Sequence, residues 1–347
     1  MRWLARGAVI ALWGALASPA NAMRTLEVIV FPGGFNWPLW VAEEKGFFRD
    51  NGLAVHVTPT PGSVFQIEGL VSGKFDIAIS TFDNVVAYDE GQGEAELASP
   101  PDLFAFMGGQ YGAVRLVAQP GISSIAELKG RSLAVDAATT GYAFVLRRIL
   151  EGAGLKEGDY TLERVGGTAA RAEALMQGKT AATILTTPLE ILPESRGYRR
   201  LANAVDAIGP YQAVLGVARR SWARENEAAL VGYIRAYVAA LDWLFEPRNR
   251  DEAVAIYRKH LLQASEAAAL KAHEVLLGGA EGFQKKGKLD VAGARTVLEL
   301  RSEYGRPRKK LDDPSKYVDE SYYLKATADD SQSAGVESRT RTSPLTR

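Results

Sequence analysis

Two successive runs in which short apolar segments alternate with helical ones constrain the fold of this chain more than any other feature. Leu26 to Phe31 is a short apolar run, Gly33-Gly34 opens a loop, and Pro38 stands where a first helical turn tolerates proline. That helix is expected to reach about Asp50, with Gly52 ending it. Leu53 to Val57 predicts a strand, Val64 to Val71 a helix, and Phe75 to Ser80 a third strand closed by Thr81. The result is a βαβαβ unit, which requires parallel strands joined by crossover helices.

A second block of the same kind begins near Val114. Val114 to Ala118 and Ser132 to Val135 read as strands around a short helix at Ile125 to Leu128. From Tyr142, apolar residues fall at Val145, Leu146, Ile149, Leu150 and Ala153, the spacing of one buried helical stripe, and Gly154 ends it. Tyr160 to Val165, a helix over Ala169 to Gln177 and a strand over Ala181 to Leu185 complete the series. After one more strand, Tyr211 to Ala218, the pattern turns helical: Ala228 to Phe245, Asp251 to His260, Ser265 to Leu277 and Val291 to Tyr304. Thr327 to Arg347 is rich in Ser, Thr, Asp and Arg and predicts a disordered tail.

The sequence has 347 residues, enough for two cores, and its 47% hydrophobic and 24% charged content is ordinary for a globular protein. Lys+Arg and Asp+Glu both number 41. A chain without net charge has no global field with which to hold a polyanion, so nucleic acid is an unfavoured partner. The absence of cysteine removes disulfides, thiol nucleophiles and cysteine-held zinc, together with any lipid-modified N-terminal cysteine.

The first residues read as an export signal. Arg2 and Arg6 are basic, Ala8 to Ala17 are apolar, and Ala20-Asn21-Ala22 is a small-x-small cleavage site. The apolar run is shorter than the ~20 residues of a spanning helix. A soluble periplasmic protein beginning at Met23 is therefore expected, with no later stretch long and apolar enough to span a bilayer.

Pro38-Leu39-Trp40-Val41-Ala42-Glu43-Glu44-Lys45-Gly46-Phe47-Phe48, followed by Asn51-Gly52-Leu53 and a strand, resembles the opening segment of the periplasmic binding proteins of the nitrate, sulfonate, taurine and pyrimidine-precursor group (NMT1/THI5-like, SsuA/TauA-like). Weaker likenesses follow in order: Gly73-Lys74-Phe75-Asp76-Ile77-Ala78, then Gly130 to Val135 with Thr139-Thr140-Gly141, then Ala181 to Leu185 before Pro188. The resemblance spans roughly Thr25 to Lys325. It implies an α/β, two-lobed type II binding-protein fold with two interlobe crossovers near Gly112 and Gly209, and a solute held between the lobes by hinge closure. The implied division is a signal at 1–22, a first lobe at 23–112, a second lobe at 113–209, a helical return to the first lobe at 210–325 and a tail at 326–347. The implied partners are a small-molecule ligand and an ABC permease and ATPase complex, with the chain itself a monomer.

Ligands of open α/β sheets bind beyond the carboxyl ends of strands, where helix N-termini present unpaired amides. Three such turns carry polar or aromatic side chains: Phe35-Asn36-Trp37, Ser80-Thr81-Phe82-Asp83 and Thr139-Thr140-Gly141-Tyr142. With Tyr111, Thr187 and Tyr211 they form the candidate site, Trp37 foremost because a large aromatic in a loop beside two glycines has little structural reason. The ordinary alternatives are helix capping for Asn36, Ser80, Thr81 and Asp83, and core packing for Tyr142. Helix N-termini at Ser80 and Thr139 suit an anion such as a sulfonate, whereas Asp83 suits an amino-bearing heterocycle stacked on an aromatic.

His56, His260 and His273 lack metal-ligand spacing, and no phosphate loop or catalytic motif is present, so no metal, cofactor or catalytic residue is expected. Gly33-Gly34 and Gly108-Gly109 read as turn glycines, and Glu43-Glu44 as a solvated face. A ligand-sensing receptor is the alternative to transport. An enzyme on the same scaffold, a pyrimidine synthase or a desulfinase, is disfavoured because such relatives lean on cysteines.

Overall fold

In the computed structural model, residues 23–328 except Ala280 are described, so the export signal and the chain beyond 328 lie outside the described residues. The first half-lobe runs β1 (Arg24–Val30), α1 (Trp37–Glu44), α2 (Phe47–Asp50), β2 (Leu53–Pro59), α3 (Ser63–Val71), β3 (Ile77–Thr81), α4 (Phe82–Asp89) and β4 (Leu103–Gln110). The second lobe runs β5 (Val114–Ala118), β6 (Ser132–Val135), α5 (Gly141–Gly152), β7 (Thr161–Arg164), α6 (Thr168–Met176), β8 (Ala182–Thr186), α7 (Ile191–Ser195), β9 (Arg199–Asn203) and α8 (Ala204–Ile208). The chain then returns with β10 (Val214–Arg219), α9 (Arg220–Glu225), α10 (Glu227–Phe245), α11 (Arg250–His260), α12 (Glu266–Gly278) and α13 (Val291–Tyr304).

The strands form two five-stranded sheets, ordered β2-β1-β3-β10-β4 and β7-β6-β8-β5-β9. In each, three strands are parallel and end at the space between the lobes. The strands that follow the two crossings, β5 and β10, begin at that space, so they must run antiparallel to the strands that end there. Accordingly Val214 pairs with Thr81 and Val114 with Thr186, each the start of one strand on the end of another.

Several elements differ from the sequence reading. The helix expected to run to Asp50 breaks at Gly46, whose φ of 76° is left-handed backbone. Gly108 and Gly109 lie inside β4, not in a turn. A side chain at Gly108 would collide with Gln284, its Cβ standing 2.0 Å from Oε1. Residues 326 to 328 belong to a last helix over 321–328, with Ala326 buried, so this short part of the expected tail is ordered.

Contrary to expectation, α10 is long and apolar enough to cross a membrane. It buries Leu230, Ile234, Tyr237, Leu241 and Leu244 in the protein, which is what a core helix does. Glu43 and Glu44 are exposed, in keeping with the solvated face read from the sequence, and Glu44 accepts from Lys259 Nζ at 2.6 Å.

The chain after α13 is tied back to the end of α4 by Glu90, which is 5% exposed. Lys309 donates to it at 2.9 Å and Tyr317 at 2.8 Å, and Lys316 pairs with it as well. Burial alone would raise its carboxyl, but these donors outweigh it and hold the pKa at about 2 against an ordinary 4.5. A depressed carboxylate stabilises the fold above its unfolded pKa, and that contribution is lost as pH falls through the folded one. Glu90→Gln is therefore expected to lower stability by about 1–3 kcal/mol at neutral pH. In urea titrations across pH the difference from wild type should vanish between 4.5 and about 2; a difference constant over that window would contradict the assignment.

Candidate functional site

The ends of the parallel strands and the starts of the helices that follow them enclose a cleft between the lobes. Its cavity in this closed form is small, about 40 Å³. From the first lobe it is lined by Phe31, Phe35, Ser63, Ile79, Ser80, Thr81 and Asn84, and from the second by Asp136, Thr140, Gly141, Tyr142, Thr168, Arg171 and Thr186. Tyr211 and Val214 enter from the return crossing.

Of the residues expected from sequence, Phe35, Ser80, Thr81, Thr140, Gly141, Tyr142 and Tyr211 stand together on this lining. Thr81 lines the cleft, and its hydroxyl also caps α4 by accepting from the Asn84 amide at 3.4 Å. Ser80 accepts from Asn84 Nδ2 at 3.0 Å, which fixes the amide of a neighbour that also faces the cleft. Tyr142 and Tyr211 set their rings 6.2 Å apart at 37°. Burial pushes both phenols above their ordinary pKa, so each is a neutral hydroxyl at working pH.

The other expected residues are placed elsewhere. Trp37 is fully buried, donates its indole N–H to the Ala253 carbonyl at 3.1 Å, and packs on Tyr257 with ring centroids 4.6 Å apart. It begins α1 and joins it to α11, so it belongs to the core and not to the cleft. Asn36 is a buttress: its Nδ2 donates to the Phe31 carbonyl at 2.7 Å and so steadies a cleft aromatic from behind.

Phe82 is wholly buried against Tyr317, and Thr187 is buried and donates to Glu190 Oε1 at 2.5 Å. Tyr111 faces a separate surface hollow beside Phe245, Lys285 and Lys288. Thr139 sits behind the cleft, bonded through its hydroxyl to Glu94 at 3.0 Å. Asp83 is also behind it: Arg301 holds both carboxylate oxygens at 2.6 and 2.7 Å, and the Gly141 amide donates to Oδ2 at 2.6 Å. The expected acceptor for a ligand amine is therefore already satisfied by the protein.

Sequence reasoning missed Arg171 and Asp136, the two charged residues of the lining. Arg171 is 2% exposed and, among the described residues, has no carboxylate within salt-bridge range. It donates to the Gly166 carbonyl at 2.9 Å, Thr168 Oγ1 at 3.0 Å and the Ile184 carbonyl at 3.2 Å, and its Nε has no partner among the described residues. Burial pushes its pKa down, with Asp136 opposing. Asp136, at the end of β6, accepts the Ser63 amide across the cleft at 3.1 Å. The available signal was a fourth strand-to-helix turn, Val165-Gly166-Gly167-Thr168, of the same kind as the three selected.

The lobes touch at several points, including the Gly167 amide on the Pro61 carbonyl at 3.0 Å, so the molecule is closed. Such a site can orient a small polar molecule between hydroxyls, one guanidinium and one carboxylate while aromatic faces cover its apolar part. Among the described residues no cluster of three or more His, Asp or Glu is arranged to hold a metal ion.

One hydroxyl is conspicuous: that of Tyr211, which has no hydrogen-bond partner among the described residues although it lies at the cleft and is fully desolvated. Tyr211→Phe is expected to weaken solute binding about fivefold, the worth of one hydrogen bond, without lowering the melting temperature of the solute-free protein. Calorimetric titration and thermal denaturation read the two effects; unchanged affinity would remove the hydroxyl from recognition.

Two α/β lobes, two crossings and a cleft at the strand ends define the two-lobed periplasmic-binding-protein fold. Residues 36–250 match the family model described as NMT1/THI5 like, so the chain belongs to the NMT1/THI5-like family. Among solved structures it is similar to a protein of Bordetella bronchiseptica RB50, 22% identical, with 88% of this chain and 98% of that one covered and a TM-score of 0.74. The periplasmic nitrate-binding protein NrtA of Synechocystis PCC 6803 is 14% identical over 88% of this chain and 89% of its own, with a TM-score of 0.74. The periplasmic aliphatic sulphonate binding protein SsuA of Escherichia coli is 19% identical over 85% and 91%, with a TM-score of 0.61. These likenesses are of fold. No curated protein sequence matches the chain.

Proposed function

We propose that the chain is the periplasmic solute-binding component of an ABC importer, which captures a small organic solute in the interlobe cleft and presents it to the permease and ATPase complex as a monomer. The observation that carries this reading is the cleft: polar groups from both lobes converge there with aromatic walls, without a metal cluster among the described residues. The nitrate and sulphonate binding of NrtA and SsuA supports it by analogy, and the export signal read at the N-terminus fits the compartment.

Of the two solute classes raised by the sequence, the charge of the lining favours the amino-bearing heterocycle over the sulfonate-like anion. Arg171 and Asp136 cancel formally, so an uncharged flat molecule leaves the closed cleft neutral whereas a free anion leaves it negative. Such a molecule can accept from Arg171 and donate to Asp136 while Phe31, Phe35, Tyr142 and Tyr211 cover its ring.

Native mass spectrometry of freshly purified mature protein, followed by titration of the solute found, tests the proposal. A co-purified uncharged heterocycle that rebinds is the expected result. No retained molecule, together with no thermal shift across a broad solute library, would overturn it; turnover of the bound molecule would point to an enzyme. Loss of solute uptake on deleting the gene separates transport from sensing.

A further inference from the structure

Asp83 stands where an incoming anion would be expected to stand. The first amide of the twelve-residue helix α5, at Gly141, donates to its Oδ2 at 2.6 Å, and helix N-termini attract negative charge through exposed amides and the helix dipole. Arg301, from α13, grips the same carboxylate with Nε at 2.6 Å and Nη2 at 2.7 Å, the paired geometry that suits a carboxylate best. Both side chains are about 1% exposed.

The arrangement spans the lobes. Asp83 belongs to the first lobe and Gly141 opens the first helix of the second, while Arg301 lies on α13, which packs on both α4 and α5. Arg301 also donates to the Thr139 carbonyl at 2.7 Å and lies 4.8 Å from the centre of the Phe144 ring, both in the second lobe. Position 141 must be glycine for this approach, since a Cβ there would lie 2.5 Å from both Asp83 Cγ and the Tyr211 hydroxyl.

We propose that Asp83 is a built-in anion that docks on the N-terminus of α5 when the lobes close. The protein thus fills with its own carboxylate the seat that α5 and Arg301 would offer an anionic solute, and it selects for a solute that brings no negative charge to that corner. This deepens the solute-binding reading and rests on it for the consequence for specificity, while the docking itself is testable without any solute.

The test is chemical rescue. In Asp83→Ala the missing group has the size and charge of formate. Solute-free wild type, Asp83→Ala and Asp83→Ala with Arg301→Met are compared by small-angle scattering and thermal melting while formate is titrated at constant ionic strength. Expected is a larger radius of gyration for Asp83→Ala, returning saturably to the wild-type value with formate, and a parallel recovery of melting temperature. Wild type and the double variant should not respond.

A purely structural ion pair would lower the melting temperature and leave the radius unchanged, and that outcome overturns the proposal. So does a folded Asp83→Ala that ignores formate. Should Asp83→Ala not fold, the near-isosteric Asp83→Asn serves: a radius equal to wild type rejects the docking role, and a larger one supports it. The solute found by mass spectrometry is a separate result, so failure of the seat and failure of the binding function are distinguishable.

Discussion

Replacing Trp37 by alanine is expected to cost about 3–5 kcal/mol of folding stability and to leave solute affinity unchanged. The indole is fully buried, makes a hydrogen bond to Ala253, and meets Tyr257 face-on-tilt and His273 edge-on, so that α1, α11 and α12 all rest on it. No smaller side chain fills that space, and the lost transfer energy adds to the cost of the cavity. For a chain of this size the loss corresponds to a fall in melting temperature of roughly 4–8 °C. The indole does not line the cleft, so titration of the variant at a temperature where it is folded should return the wild-type affinity. Lost affinity with an unchanged melting temperature would place Trp37 in the site after all and contradict the core assignment.

The contrast between Trp37 and Arg171 shows what could be read from the sequence. The alternation of strands and helices was legible because it is set by local periodicity, and most helix boundaries fall within a residue or two of it. Placing the site at strand ends was legible for the same reason, and it brought Phe35, Ser80, Thr81, Thr140, Gly141, Tyr142 and Tyr211 to the cleft together. β4 was not legible: Leu103–Gln110 is a continuous apolar run with a glycine pair, and its place depends on β10, more than a hundred residues away. Nor was Trp37, whose indole partner Ala253 is 216 positions distant. Asp83 was read as a helix cap or as an acceptor for a ligand amine, because its partner Arg301 lies 218 positions along the chain. Arg171, on an alanine-rich helix, has the local appearance of a solvated residue; only the packing of α6 on β8 turns it inward.

Arg171→Met is expected to reverse the pattern of Trp37→Ala, with a large loss of binding and a smaller loss of stability. Removing one partner of a buried, hydrogen-bonded charged contact costs about 2–5 kcal/mol of affinity, or roughly a 30- to several-thousand-fold weaker solute complex. The stability cost is smaller because two effects oppose one another. Gly166, Thr168 and Ile184 lose a donor, but the fold no longer has to desolvate a guanidinium that lacks a carboxylate in contact, and methionine occupies most of its volume. About 1–3 kcal/mol is the expected remainder. Arg171→Lys keeps the charge and loses the planar fork, so it should recover only part of the affinity if geometry matters and nearly all of it if charge alone does. Calorimetric titration of the three proteins against the co-purified solute decides between these, and wild-type affinity in Arg171→Met would show that the guanidinium braces α6 against β8 and takes no part in recognition.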